Sequence, residues 1–173
     1  MRFLKIVFLL FIIFFSSVEI NSQNVEVQRK FMGYVFYMHR ASVERILAKE
    51  GYDFELYSDF ILLNDVEFGG RFWNTAFMEF YNNQFFYICF DKTYNSYPSA
   101  KSAFNLLNGK LSSKYPMVFD ENDPTHCSYY DGKTYVFLQL KVHNEKESEY
   151  SVSIGYFDNE IALKKERKEN NEF

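Results

Sequence analysis

Between Phe60 and Phe157 the chain alternates apolar runs with dipeptides that tolerate positive φ, and this combination constrains the fold more than any other feature. Phe60 to Phe68 stops at Gly69-Gly70, Arg71 to Tyr81 stops at Asn82-Asn83, and Gln84 to Thr93 runs out into Asn95-Ser96. Gly-Gly and Asn-Asn both accept the left-handed backbone that two-residue hairpin loops require, so the spacing predicts a three-stranded antiparallel meander. With Asn82-Asn83 as the loop, Tyr81 faces Gln84. Regular pairing then sets Phe77 opposite Ile88, Ala76 opposite Cys89 and Thr75 opposite Phe90. One face would carry Phe77, Phe86, Ile88 and Phe90 and the other Met78, Phe80, Phe85 and Tyr87, with neither face polar.

The last hairpin pivots on Asp131-Gly132. Thr134, Val136, Leu138, Leu140 and Val142 alternate with Tyr135, Phe137, Gln139, Lys141 and His143, the pattern of a strand with one buried face. After the charged turn Asn144 to Ser148, Tyr150, Val152, Ile154 and Tyr156 alternate with Ser151, Ser153 and Gly155, which mark a solvent side. Two helices interrupt the strands. Val43, Ile46 and Leu47 recur at helical spacing over Ala41 to Glu50, with Gly51 at the C-cap, and Phe31 to Tyr37 before them reads as a brief extended entry. Pro98 suits the first turn of the second helix, where Ala100, Ala103, Phe104, Leu107 and Leu111 form one stripe ended by Tyr115-Pro116. The expected fold is α+β, an antiparallel sheet with two helices packed on one face in the order α-β-β-β-α-β-β-β.

The chain's start belongs to another category. Arg2 and Lys5 precede an uninterrupted apolar run, Ile6 to Phe15, which is shorter than the roughly 20 residues that span a bilayer. Ser16 and Ser17 open a polar, small-residue stretch, so residues 1–22 read as a signal peptide cleaved near Ser22. A domain over 23–158 and a charged C-terminal tail over 159–173 follow. No Cys stands after the apolar run to accept a lipid and no later stretch is long enough to span, so the expectation is a soluble exported protein, periplasmic or secreted. The formal charge of −4, with no basic stripe, argues against nucleic acid as a partner. Aromatic residues make up 21% of the chain. Strand-forming core is the plain account of them, and a stacking surface for a partner or a sugar is the functional one.

Short signatures extend over most of the remaining chain: Phe31-Met32-Gly33, Leu47 with Gly51-Tyr52, Phe68-Gly69-Gly70, Phe104 and Leu107 with Lys114-Tyr115-Pro116, and Tyr156-Phe157-Asp158. In these the chain resembles small, signal-bearing bacterial envelope proteins of uncharacterised function. Its tandem helix-plus-sheet order is similar to the β-lactamase-inhibitor-protein-like architecture, which also houses a small outer-membrane-assembly lipoprotein family. The resemblance implies action by binding proteins. The chain lacks the lipidated Cys of the assembly lipoproteins, which points to a free protein.

Chemistry leaves few marks. Cys89 and Cys127 are the only cysteines, and export would permit a disulfide between them; the alternative is two separate strand thiols. His126 beside Cys127 would point to the opposite strand face, so thiol catalysis finds no base there. His39, His126 and His143 are scattered, and no metal or cofactor is expected. Asp120, Glu121 and Asp123, and Glu145, Glu147 and Glu149, read as solvated loops, while nucleophile-elbow and phosphate-loop motifs are absent. The leading reading is a non-enzymatic module that binds an envelope or extracellular protein, with Trp73, Tyr87, Tyr135 and Phe137 as candidate contacts. A carbohydrate-binding module using aromatic stacking is the alternative, and an envelope hydrolase the third.

Overall fold

The computed structural model describes residues 27–118, 123–144 and 149–170; the segment 1–22 and the turn 145–148 lie outside them. Lys30–Phe31 (β1) and Tyr34–Val35 (β2) pair as a small hairpin, so the extended entry folds on itself about Met32-Gly33. Arg40–Glu50 (α1), Phe54–Leu56 (β3), Phe60–Phe68 (β4), Arg71–Tyr81 (β5) and Gln84–Tyr94 (β6) follow. Tyr97–Ser112 (α2) then leads into Met117–Val118 (β7), His126–Tyr130 (β8), Thr134–Asn144 (β9), Glu149–Asp158 (β10) and Asn159–Asn170 (α3). The protein is thus α+β with a large antiparallel sheet. The expected order is corrected: each helix-led half carries four strands, a hairpin precedes α1, and a third helix closes the described chain.

The eight strands run β3-β4-β5-β6-β10-β9-β8-β7. Two four-stranded meanders therefore meet through their last strands, with Tyr94 opposite Tyr150 at one end of the seam and Tyr87 opposite Phe157 at the other. The turn residues act as their chemistry requires. Asn82 and Asn83 take φ of 49° and 63°, and Gly69 and Gly70 take 63° and 69°, which are the positive values that match a tight hairpin to the twist of its strands.

One sheet face forms the core. Ile61, Leu63, Ala76, Met78, Ile88, Phe90, Val152, Ile154, Tyr156, Val136, Leu138 and Tyr129 are buried there. Covering them are α2, which packs across β6, β8, β9 and β10, the α1 residues Val43 and Leu47, and the aromatic residues of the β1–β2 hairpin. Two helices on one face is therefore too simple, because the entry hairpin completes that layer and α3 lies elsewhere. Asn159 donates to the Tyr130 hydroxyl at 3.0 Å, and Lys165 pairs with Glu79 with its ammonium over the Phe86 ring, which seats α3 at one end of the opposite face. Ile161 is buried beneath it, so the charged tail is docked through this stretch.

The register of β5 with β6 also departs from regular pairing. Tyr81 faces Gln84 as expected, but a bulge at Phe86 moves every later pair by one, giving Phe77 opposite Cys89, Ala76 opposite Phe90 and Thr75 opposite Asp91. A one-residue shift exchanges the faces. Met78, Phe80, Phe85, Ile88 and Phe90 consequently join the core, while Phe77 and Tyr87 look out on the other side.

Asp158 ties the start of the described chain to its last helix. Its carboxylate receives the Arg29 guanidinium, the Tyr37 hydroxyl at 3.0 Å and the Ile161 amide at 2.9 Å, the last capping α3. Arg29 also donates to Thr134 Oγ1 at 2.7 Å, and the Val27 amide donates to Asp131 Oδ2 at 2.6 Å. Replacing Asp158 with Ala is expected to destabilise the protein by about 3 kcal/mol, the low end for breaking a buried pair, since Arg29 keeps 23% exposure. Urea midpoints at constant m-value measure it, and protease trimming of α3 should accelerate in parallel.

Candidate functional site

Opposite the core, the sheet presents a face built from the alternate residues of the same strands. On the central strand β10 these are Ser151, Ser153 and Gly155, flanked by Tyr87, Cys89, Asp91 and Thr93 of β6 and by Tyr135, Phe137, Gln139 and Lys141 of β9. The small β10 residues do not form a solvent side as their polarity implied. They are buried, because the longer neighbours on both sides lean over them. Ser153 Oγ donates to Asp91 Oδ1, and Ser151 Oγ pairs with His143 Nε2 at 2.8 Å.

Gly155 forms the slot that organises the aromatic residues. A Cβ at this position would overlap the Phe137 ring, which reaches across β10 and comes to 6.3 Å from Tyr87 with an interplanar angle of 14°. From there ring contacts continue in both directions: His126 to Phe137 at 6.3 Å, Tyr87 to Phe77 at 5.9 Å, Phe77 to Phe60 at 4.4 Å and Phe60 to Tyr57 at 4.3 Å. An aromatic band thus runs from β8 to the β3–β4 turn, crossing β10 where it has no side chain. A second row, Tyr130, Tyr135 and Phe157, stacks at 4.2 and 5.1 Å with its planes within 15°. Apart from exposed Tyr57, the rings of both rows are half-buried.

Of the four candidate contacts, Tyr87, Tyr135 and Phe137 lie on this face, and Trp73 does not. Simple alternation would place Trp73 with Thr75 and Phe77. The pairing stays in register but skips Asp65, which has a φ of 49°, and Asn74, so the alternation of both strands restarts there and Val66 and the Trp73 opposite it both turn into the core. The Trp73 indole N–H donates to the Phe68 carbonyl at 3.0 Å. Phe60, Phe77, Tyr130, Phe157 and His126 complete the band; the bulge at Phe86 decides that Phe77 shares a face with Tyr87, and the others join it through strand pairings that their own spacing does not announce.

The chemistry available here is limited. Burial pushes the Cys89 thiol up to about 11, and the nearby Asp91 carboxylate acts in the same direction against the Tyr87 hydroxyl and Lys141. Burial likewise pushes the Tyr87 hydroxyl far above its ordinary range, with the Cys89 thiol and Glu79 adding to it. His126 Nε2 lies 2.9 Å from Ser128 Oγ. Asp123, whose charge acts on His126, sits below the usual carboxylate range because the Thr125 hydroxyl and amide bind it, so its carboxylate is committed to Thr125. Among the described residues no group of three His, Cys, Asp or Glu side chains is placed to hold a metal, and no helix is long and apolar enough to cross a membrane.

Cys89 and Cys127 are both free thiols. Cys127 packs against the core, whereas Cys89 lies on the opposite face, and β10 and β9 stand between their strands. Three strand spacings amount to roughly 14 Å, well beyond the roughly 7 Å that a disulfide tolerates between Cα atoms. The disulfide reading is thereby corrected to two separate strand thiols.

Comparison of the chain with protein-family models, curated proteins and solved structures gives no match.

Two outcomes follow from this geometry. Gly155→Ala should cost about 2 kcal/mol by overpacking, and a double-mutant cycle with Phe137→Leu should recover much of that loss, measured by urea denaturation. At pH 8 a thiol titrating near 11 is ionised in about one molecule per thousand, so Cys89 should resist iodoacetamide in the native protein. Denaturation without reductant should then release two labelled thiols by mass spectrometry.

Proposed function

We propose that this protein is an exported, non-enzymatic binding module whose open sheet face meets an envelope or extracellular protein. The observation that carries the reading is the continuous aromatic band on a sheet face that α3 covers only at one end. Rings held by neighbouring rings lose little freedom on binding, and Tyr in particular supplies contact area together with a hydrogen-bonding tip. The composition of the face, aromatic with few charges, matches the centre of a protein interface better than its rim. Gln139, Lys141 and His143 on β9 offer polar contacts beside the band.

Protein is favoured over sugar by the orientation of the second row. Tyr130, Tyr135 and Phe157 turn their faces to one another at stacking distance, whereas a sugar ring needs an aromatic face left free. Hydrolysis is disfavoured because the Ser151 and Ser128 hydroxyls belong to central and inner strands whose backbone amides are engaged in the sheet, leaving no free donors for an oxyanion.

The test is affinity capture from the envelope fraction with the mature protein, run beside Tyr135→Ser/Lys141→Glu on the open face and Leu106→Ser on exposed α2. A partner that meets the band should bind the double variant at least tenfold more weakly and the Leu106 variant equally well. Equal retention by all three proteins, or equal loss in both variants, would overturn the assignment of the face.

A further inference from the structure

On the core side of the sheet, between the C-terminal half of α2 and the β4–β5 hairpin, lies a cleft of about 170 Å³. Its walls are apolar: Phe68 and Trp73 from the hairpin strands, Leu107 and Leu111 from α2, and Ile154 and Tyr156 from the central strand β10. Charge is confined to the mouth and has one sign. Arg71 stands on the hairpin, Lys110 in the last turn of α2 and Lys114 just beyond it, and no acidic residue lines the space. Among the described residues none of these three cations is paired with a carboxylate, although the chain carries a net charge of −4. Cations at a helix C-terminus would account for Lys110 and Lys114 alone. Arg71, delivered from a different element to the same opening, is not explained that way.

We propose that this cleft binds a small amphiphilic carboxylate, its apolar body in the cleft and its anionic head among Arg71, Lys110 and Lys114. The volume sets the scale of the body, since an apolar cavity of about 150 Å³ takes up a ligand the size of benzene. A single ring or a medium-length alkyl chain fits, and a membrane lipid with two long chains does not. Apolar lining with a few converging polar groups is the usual composition of a small-ligand site, and guanidinium and ammonium groups together suit a carboxylate. The cleft and the aromatic band lie on opposite faces of the sheet, so this binding and the proposed protein contact stand or fall separately.

The protein contains its own reporter, because Trp73 is the single tryptophan and lines the cleft. Titration with octanoate, with emission excited at the tryptophan edge and isothermal calorimetry on the same samples, should give a saturable signal that weakens as salt is raised. The neutral octanamide, identical in chain, should bind at least tenfold more weakly. Lys110→Glu/Lys114→Glu, at two exposed positions, should also lose at least tenfold for octanoate while keeping the circular dichroism and melting temperature of the parent; Arg71→Gln provides the same test from the hairpin side. Equal binding of octanoate and octanamide, undiminished octanoate binding in the charge variants, or silence in both emission and heat would overturn the proposal.

Discussion

The antiparallel pairing of β6 with β10 is the interaction on which the rest of the molecule depends. It joins residues far apart in sequence, from Tyr94 with Tyr150 to Tyr87 with Phe157, and makes one sheet from two meanders that are each local hairpin products. Without it each meander would end in a long open edge and present a half-core of aliphatic side chains to water. Because it pairs two last strands, it also places core residues of both meanders side by side at the centre. Ile88 faces Tyr156 and Phe90 faces Ile154 there, and α2 lies across the same strands.

Both faces inherit their character from this seam. On the core side, bulky residues of β6 and β10 pack beneath α2, and the cleft lies between the end of that helix and the β4–β5 hairpin. On the other side β10 contributes serines and a glycine, so the long side chains of β6 and β9 can close over it and touch. Aromatic contact across an intervening strand is unusual for a sheet, where rings normally meet nearest neighbours about 5 Å away. Here it follows directly from the missing Cβ of Gly155. The Asp158 cluster then pins β10 to Arg29 near the start of the described chain and to the first turn of α3, which fixes the helix at the end of the aromatic face.

How much of this was legible depended on how local the cause was. Asn82-Asn83 and Gly69-Gly70 specify their hairpins by dihedral chemistry alone, and the strands that they join begin and end where the turns require. The α2 stripe of Ala100, Phe104, Leu107 and Leu111 is likewise written in its spacing, and all four are buried. What could not be read were events that offset the alternation by one residue. Phe85 and Phe86 are chemically identical and adjacent, so nothing in the sequence says that the extra residue is absorbed there; the choice is made by Phe85 packing in the core and Phe86 beneath Lys165. The same limitation moved Trp73 inward, whereas Ser151 and Ser153 keep the face that their alternation assigned and lose their water only because longer neighbours on β6 and β9 cover them. Short strands are the other gap, since β3 and β7 carry too few residues to show a period.

Those two short strands have a consequence for recognition. They are the outermost described strands, β3 with three residues and β7 with two, so among the described residues each offers only a few backbone groups to an incoming strand. Binding modes that extend a sheet draw their affinity from a long run of main-chain hydrogen bonds and are largely indifferent to side chains. A molecule with such abbreviated borders discourages that kind of promiscuous attachment, including attachment to its own copies. For the proposed partner contact, selection would therefore fall to the shapes and polarities of individual residues on the broad surfaces of the sheet and its helices rather than to its described borders.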